Sequence, residues 1–312
     1  MEEAVRIILE SGKSAIDVAL YVLLPVMVVM AAIMKVLEAK GVLAFVSRLL
    51  SPLLRVFGIP GIGIFAVLQL LFVGFAAPLA TLTIMEKNRT EKAKVAATLA
   101  MLLAMSQGNV VFPMLAVGLN LWMVLFTSLV GGLVAAFLTY RFFCSEWQSD
   151  PSSSDGVAQH PERKTGTSVL NLLKDGGQEG VQIVLKSIPF LVLAILLVDI
   201  LSSIGLIAFM GRKLSPALET VGLPGIAVLP FATKYLAGGT AMMGMTFDLV
   251  NQGAITPLEL NRLAGFLINP LDLVGVGVLL SAGPRTESVA KAAMKGAVVG
   301  ILVRGVLHLI LF

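Results

Sequence analysis

Gly41-Val-Leu-Ala-Phe-Val-Ser-Arg-Leu-Leu-Ser-Pro52 and Gly205-Leu-Ile-Ala-Phe-Met-Gly-Arg-Lys-Leu-Ser-Pro216 are one passage written twice, 164 positions apart. Gly58-Ile-Pro-Gly-Ile follows the first copy and Gly222-Leu-Pro-Gly-Ile the second, so 12 of the 22 positions from 41 to 62 recur. At the same offset Pro25 meets Pro189 and Gly74 meets Gly238; a slip of two residues then aligns Thr90 with Thr256 and Ala116 with Ala282. Chance does not keep glycine, arginine and proline in register over such a distance. The sequence therefore predicts a duplication: a lead-in at 1–13, a first repeat at 14–143, a polar linker at 144–175 and a second repeat at 176–312.

Each repeat reads alike. A spanning helix (Ser14–Met34; Val181–Leu201) precedes an amphipathic segment suited to a membrane interface (Val42–Val56; Leu206–Val221). Broken apolar stretches follow, and a long helix closes the unit (Leu121–Arg141; Ser288–Leu311). The apolar runs are continuous and do not alternate, which excludes strands. Hydrophobic residues make up 57% of the chain and charged ones 13%, against about 25% charged in a soluble domain. So few charges cannot cover a globular surface, and the class is an all-α, multi-pass membrane protein with the lipid bilayer as its first partner. Between eight and ten crossings are expected, and the cell membrane is the expected location.

Composition also excludes functions. The net charge of +4 is weak and scattered over loops, with no basic stripe for nucleic acid. Cys144 is the one cysteine, and the two histidines are His160, in the linker, and His308. Neither a disulfide nor a thiolate or imidazole metal cluster is expected, and no cofactor, metal ligand or catalytic residue is assigned. Glu2, Glu3, Arg6 and Glu10 make the start an amphipathic lead-in rather than a signal peptide.

Four passages of the first repeat carry a family resemblance: Gly58-Ile-Pro-Gly, Phe72-Val-Gly-Phe-Ala-Ala-Pro-Leu-Ala-Thr, the charged turn Glu86-Lys-Asn-Arg-Thr-Glu-Lys, and Met105-Ser-Gln-Gly-Asn. In order and spacing they resemble the Gate, or nucleoside-recognition, domain of the spore maturation proteins A and B. The membrane region of the ferrous-iron transporter B family is similar too, and the concentrative nucleoside transporters are more distant. Phe75, Ala76 and Ala77 stand where the iron transporter has a cysteine, and no phosphate-binding Gly-x-x-x-x-Gly-Lys loop is present. The resemblance implies a transporter-like fold of paired, inverted repeats. It does not supply a substrate.

Charge placement points to the site. A charge inside the bilayer costs about 2.5–3.5 kcal/mol on insertion scales and normally faces the interior of the bundle. Lys234 stands in the apolar run 225–247, just before Gly238-Gly239, where its first-repeat counterpart is Leu70. It is a candidate solute or counter-ion contact, or else one half of a structural ion pair with Asp248, Asp272 or Glu287. Asn269-Pro270-Leu-Asp272 interrupts the next stretch, and Ser106, Gln107 and Asn109 interrupt the matching one. Two facing breaks, one per repeat, would make a midplane site, the alternative being ordinary helix caps. Arg285 and Glu287 open the last helix, where they would meet an anion, or else cap the helix and pair with Lys291.

Helix breaks are expected at Gly74, Pro78, Gly238, Gly239 and Pro270. Arg304 and His308 share a helix face that the sequence places at the far interface. The expected function is the passage of a small solute, such as a nucleoside-like molecule, organic anion or ion, through a cavity between the repeats, with a coupling ion as a further partner. The alternative is a membrane scaffold or accessory component; a second copy of the chain or another membrane protein is then a compatible partner. On the sequence alone, Lys234→Leu separates the two, sparing a scaffold and stopping a carrier.

Overall fold

The computed structural model describes residues 2–144 and 168–312, and among them the regular structure is helical throughout. A first long helix comprises α1 (Glu2–Asp17), a π-helical stretch (Val18–Leu23) and α2 (Leu24–Ala39). Pro25 lies at the start of α2; it has no N–H for the preceding turn, and the backbone ladder widens to π just before it. The lead-in is therefore part of the helix. Gly41 then turns the chain with φ +75°, and α3 (Val42–Arg55) follows.

The next elements are short: α4 (Gly61–Phe72), α5 (Pro78–Lys87), α6 (Lys92–Ala104) and α7 (Gly108–Met114). Helix α8 (Leu121–Leu138) runs into a π-helical end at Thr139–Phe143. The second half repeats this order with α9 (Val169–Ser203), α10 (Leu206–Thr220), α11 (Val228–Ala237), α12 (Gly239–Asn251), α13 (Pro257–Leu267) and α14 (Leu273–Leu280). It closes with the single turn α15 (Pro284–Ser288) and the long α16 (Ala290–Leu311). Equivalent turns have equivalent backbones: φ is +75° at Gly41 and +74° at Gly205, +77° at Gly58 and +73° at Gly222.

Of the linker expected at 144–175, residues 145–167, His160 included, lie outside the described residues, and residues 169–175 are already the first two turns of α9. The polar run ends sooner than expected because α9 packs along α1 and α2. Gly176 and Gly180 allow that approach. A Cβ on Gly176 would lie 2.6 Å from Ala31 O, and one on Gly180 2.7 Å from Met27 O, a four-residue glycine spacing typical of close membrane helices. Lys35 and Glu179 add an exposed ion pair at 2.9 Å.

Among the described residues, four helical segments are long and apolar enough to cross a membrane: Val5–Ala39, Lys92–Val117, Leu121–Phe143 and Ala290–Leu311. A bent pair, Arg212–Thr220 with Gly225–Ala237, makes a fifth at an angle of 116°. Gly, Pro and Asn cut other apolar runs into the short helices α4, α5, α12, α13 and α14, of 8 to 13 residues, each too short to span about 30 Å of hydrocarbon alone.

Helix α6 is the axis of the molecule. Every residue from Val95 to Ala104 is buried, and nearly all are apolar. Helices α8 and α16 close on it through small residues: Gly300 faces Gly131, and Gly296 faces Ala135 and Thr139. The outer faces carry Trp122, Phe126, Leu302, Val306 and Ile310, all exposed and apolar. Such a surface is stable in lipid and not in water.

Candidate functional site

Four interruptions of the helical ladder meet at one place. Between α4 and α5 the chain unwinds at 73–77, with Gly74 at φ +150°. Between α6 and α7 it extends through Met105 and Gln107. Gly238, at φ +88°, separates α11 from α12, and Ile268 to Asp272 separates α13 from α14. Residues of the breaks after α6 and α13 border one cavity, together with residues of the other two.

The four breaks enclose a cavity of about 340 Å³, fronted by Gly74, Phe75, Gln107, Asn109, Thr240 and Asp272 and closed by Leu23, Met27 and Val184 from α9 and the first long helix. This is within the size range of small-molecule sites, roughly 300–1,000 Å³. Its wall is mainly apolar, with a few convergent polar groups.

Glycine brings those groups together. A Cβ on Gly108 would lie 2.6 Å from Leu71 O, so the start of α7 touches the backbone end of α4. A Cβ on Gly74 would lie 2.5 Å from Asn109 Oδ1, and one on Gly239 would collide with the Gln107 amide nitrogen. Each amide of the first repeat therefore packs into a space that a glycine leaves open, and one of those glycines belongs to the second repeat.

The hydrogen-bond inventory is incomplete where it faces the cavity. Asn109 Nδ2 donates to Thr240 Oγ1 at 3.4 Å, whereas Asn109 Oδ1 and Gln107 Oε1, both buried, have no donor among the described residues. A buried acceptor without a partner costs about 1–3 kcal/mol. Both oxygens belong to residues that border the cavity.

Asp272 is satisfied on both oxygens. Gly275 N donates to Oδ1 at 2.7 Å, capping α14, and Lys234 Nζ donates to Oδ2 from behind the wall. Lys234 and Asp272 have 0% and 2% of their side chains exposed. Of the three carboxylates open to Lys234 on the sequence, the structure selects Asp272, and the pair presents a neutral face to the cavity.

Other predicted residues lie elsewhere. Asn269 is buried inside the fourth break, where Nδ2 donates to Phe266 O at 2.7 Å and Oδ1 accepts from Leu271 N at 3.0 Å. It holds the bend that Pro270 opens and does not line the cavity. Pro78 starts α5 just after the first break, a position that needs no N–H. Arg285 and Glu287 are not among the residues that line the cavity. The Glu86 carboxylate accepts from Arg285 N at 3.1 Å and Thr286 N at 3.2 Å, Arg285 Nη1 donates to Thr90 O, and Glu287 is exposed. The start of that short helix, expected to face a solute anion, is filled by the chain's own carboxylate.

Sequence reasoning missed Thr240 and Phe75 at the wall, and it misplaced Arg304 and His308. Both are fully buried. His308 meets Thr127 Oγ1 at 2.8 Å and the Asn261 carbonyl, and Arg304 reaches the helix breaks. The missed signal was the pairing of Gly131 and Gly265 with this face of α16. A Cβ on Gly131 would strike Arg304 Cγ, and one on Gly265 would lie 2.8 Å from His308 Cδ2.

Comparison with known proteins places this geometry. Residues 20–121 match the family model described as nucleoside recognition, Gate. Spore maturation protein B of Bacillus subtilis (strain 168) is 37% identical over 76 residues, 24% of this chain and 42% of that protein. The chain thus spans less than half the length of this relative. The fold matches CNTnw in an outward-facing state with a TM-score of 0.71 at 20% identity, over 94% of this chain and 74% of that one. The inward-facing, substrate-bound CNTnw gives 0.70 at 21% identity, again over 94% and 74%. The chain is a helical membrane protein whose residues 20–121 match the Gate, or nucleoside-recognition, model and whose fold resembles that of the concentrative nucleoside transporters.

Proposed function

We propose that the chain moves a small, uncharged, hydrogen-bonding solute of nucleoside size across the cell membrane, through the cavity at the four breaks. The observation that carries this reading is the pair of amides, Gln107 and Asn109, that border an otherwise apolar cavity with side-chain oxygens unpaired among the described residues, where Lys234 neutralises Asp272. Such a wall suits a molecule with an apolar ring and two N–H or O–H donors. It disfavours an ion, because no uncompensated charge lines it among the described residues. The solute-bound state described for CNTnw and the Gate match support the reading. The inverted relation of the repeats, with the cavity between them, belongs to the same proposal.

Thermal unfolding of the purified protein with uridine, adenosine, organic anions and divalent metals tests the proposal. A ligand at 100 times its dissociation constant adds about 2.7 kcal/mol to the folded state. A shift with uridine or adenosine, followed by uptake of the same molecule into proteoliposomes, is the expected result. A shift with anions or metals only would overturn it.

A second reading, a non-transport membrane component, draws support from the likeness to spore maturation protein B. It predicts no uptake of any solute, and activity that survives when the cavity wall is filled by Asn109→Phe.

A further inference from the structure

Arg304 is the largest fully buried side chain among the described residues, and the solute cavity makes no direct use of it. It extends from α16 over Gly131 of α8, where a missing Cβ leaves room for its stem. Nη1 donates to Ala104 O at 2.6 Å and to Ile268 O at 3.0 Å, and Nη2 donates to Ser106 Oγ at 2.6 Å. Among the described residues no carboxylate forms an ion pair with it.

Those oxygens are special. Ala104 is the last residue of α6 and Ile268 caps α13, so each carbonyl closes a half-helix at a break that fronts the cavity, one in each repeat. A helix C-terminus carries about half a negative charge. Two of them offset roughly one positive charge, the charge of one guanidinium. Three oxygens and two helix ends thus converge on one cation, which is fixed to the chain.

In carriers with broken helices, unwound carbonyls and the C-terminal ends of half-helices commonly coordinate a mobile Na+ or proton. Here the oxygens are already committed. We propose that Arg304 is a built-in cation of this fold, which holds the α6 and α13 breaks in their binding geometry so that the site is complete without bound Na+ or K+. Arg304 is a positioning residue: it touches Ser106, next to Gln107 of the wall, and Ile268, where the chain turns toward Asp272. The consequence for solute binding rests on the cavity reading above, but the cation assignment is testable without any solute.

Unfolding midpoints of the purified wild-type protein are measured in NaCl, KCl and choline chloride at equal ionic strength. The three should coincide. Arg304→Ala leaves the three oxygens facing an empty space, so its midpoint should fall and then recover partly with millimolar guanidinium chloride or with Na+, and not with choline. Arg304→Lys, which keeps a charge, should retain more stability than Arg304→Met, which keeps only the stem.

A wild-type midpoint higher in Na+ or K+ than in choline would overturn the proposal. So would a folded Arg304→Ala protein indifferent to every small cation. If Arg304→Ala does not fold, the wild-type series alone decides. Uridine is added to a parallel wild-type series. Failure of uridine to shift the midpoint, with cation behaviour as expected, counts against the solute reading and leaves the assignment of Arg304 standing.

Discussion

Gln107 and Asn109 set up an opposition between stability and binding at the level of single atoms. Each keeps a buried acceptor unpaired, a cost of about 1–3 kcal/mol that a donor on the solute would remove. Gln107→Leu and Asn109→Leu are therefore expected to keep or raise the unfolding midpoint while weakening uridine binding about tenfold for each bond of roughly 1.4 kcal/mol lost. Titration of each variant by thermal shift checks both arms; a variant that binds as the wild type does would remove that residue from the site. Lys234 behaves differently. Its loss leaves the buried Asp272 carboxylate without its cation, and breaking a buried pair costs about 3–5 kcal/mol. Lys234→Leu should therefore lower the midpoint whatever the protein does, so it does not separate carrier from scaffold as the sequence alone suggested. The double variant Lys234→Leu with Asp272→Asn should recover part of the loss, measured by the same unfolding assay. Cys144 supplies a pH prediction: burial pushes its thiol up to about 11, so little thiolate exists at neutral pH. Maleimide at pH 7 should label the denatured protein and spare the folded one.

The helices show what a sequence can and cannot disclose. Gly238-Gly239 and Asn269-Pro270 announce breaks because they weaken the backbone ladder locally, and the amphipathic α3 and α10 are visible from periodicity. The convergence of four breaks is not visible, since it depends on how α4, α7, α12 and α14 pack, and no local pattern encodes that. The burial of Arg304 is hidden for the same reason. A charge near the end of an apolar helix reads as interfacial until Gly131, 173 positions away in the chain, is seen beside it. Glycine substitutions test these packing arguments. Gly108→Ala would put a methyl 2.6 Å from Leu71 O and 2.9 Å from the Phe72 carbonyl carbon. These are backbone atoms that cannot step aside, so a loss of about 1–3 kcal/mol is expected. A Cβ at Gly277, inside α14, meets nothing within 4 Å, and Gly277→Ala should instead gain up to about 1 kcal/mol from helix propensity. Opposite shifts in unfolding midpoint would support the packing account; shifts of the same sign would contradict it.

At the scale of the whole molecule the two halves hold one another. Glu86, at the end of α5, accepts from the backbone of Arg285 and Thr286 in the turn before α16. Asn261, in α13, accepts from Asn120 N at 2.8 Å and donates to Gly118 O at 2.9 Å in the turn before α8. Each half thus satisfies, with one polar side chain, the connection that leads into the other's closing helix. The duplication was legible in the sequence as a repeated passage; this mutual dependence was not, because Glu86 and Asn261 do not occupy equivalent positions in the two repeats. It also bears on how the protein is made. A nascent chain that stops after α8 exposes the Gly118–Asn120 turn with its carbonyl and N–H unmatched, and only the later emergence of Asn261 relieves them. The first half would wait in the membrane as an incomplete, protease-sensitive intermediate, and the arrival of the second half would act as its release from quality control.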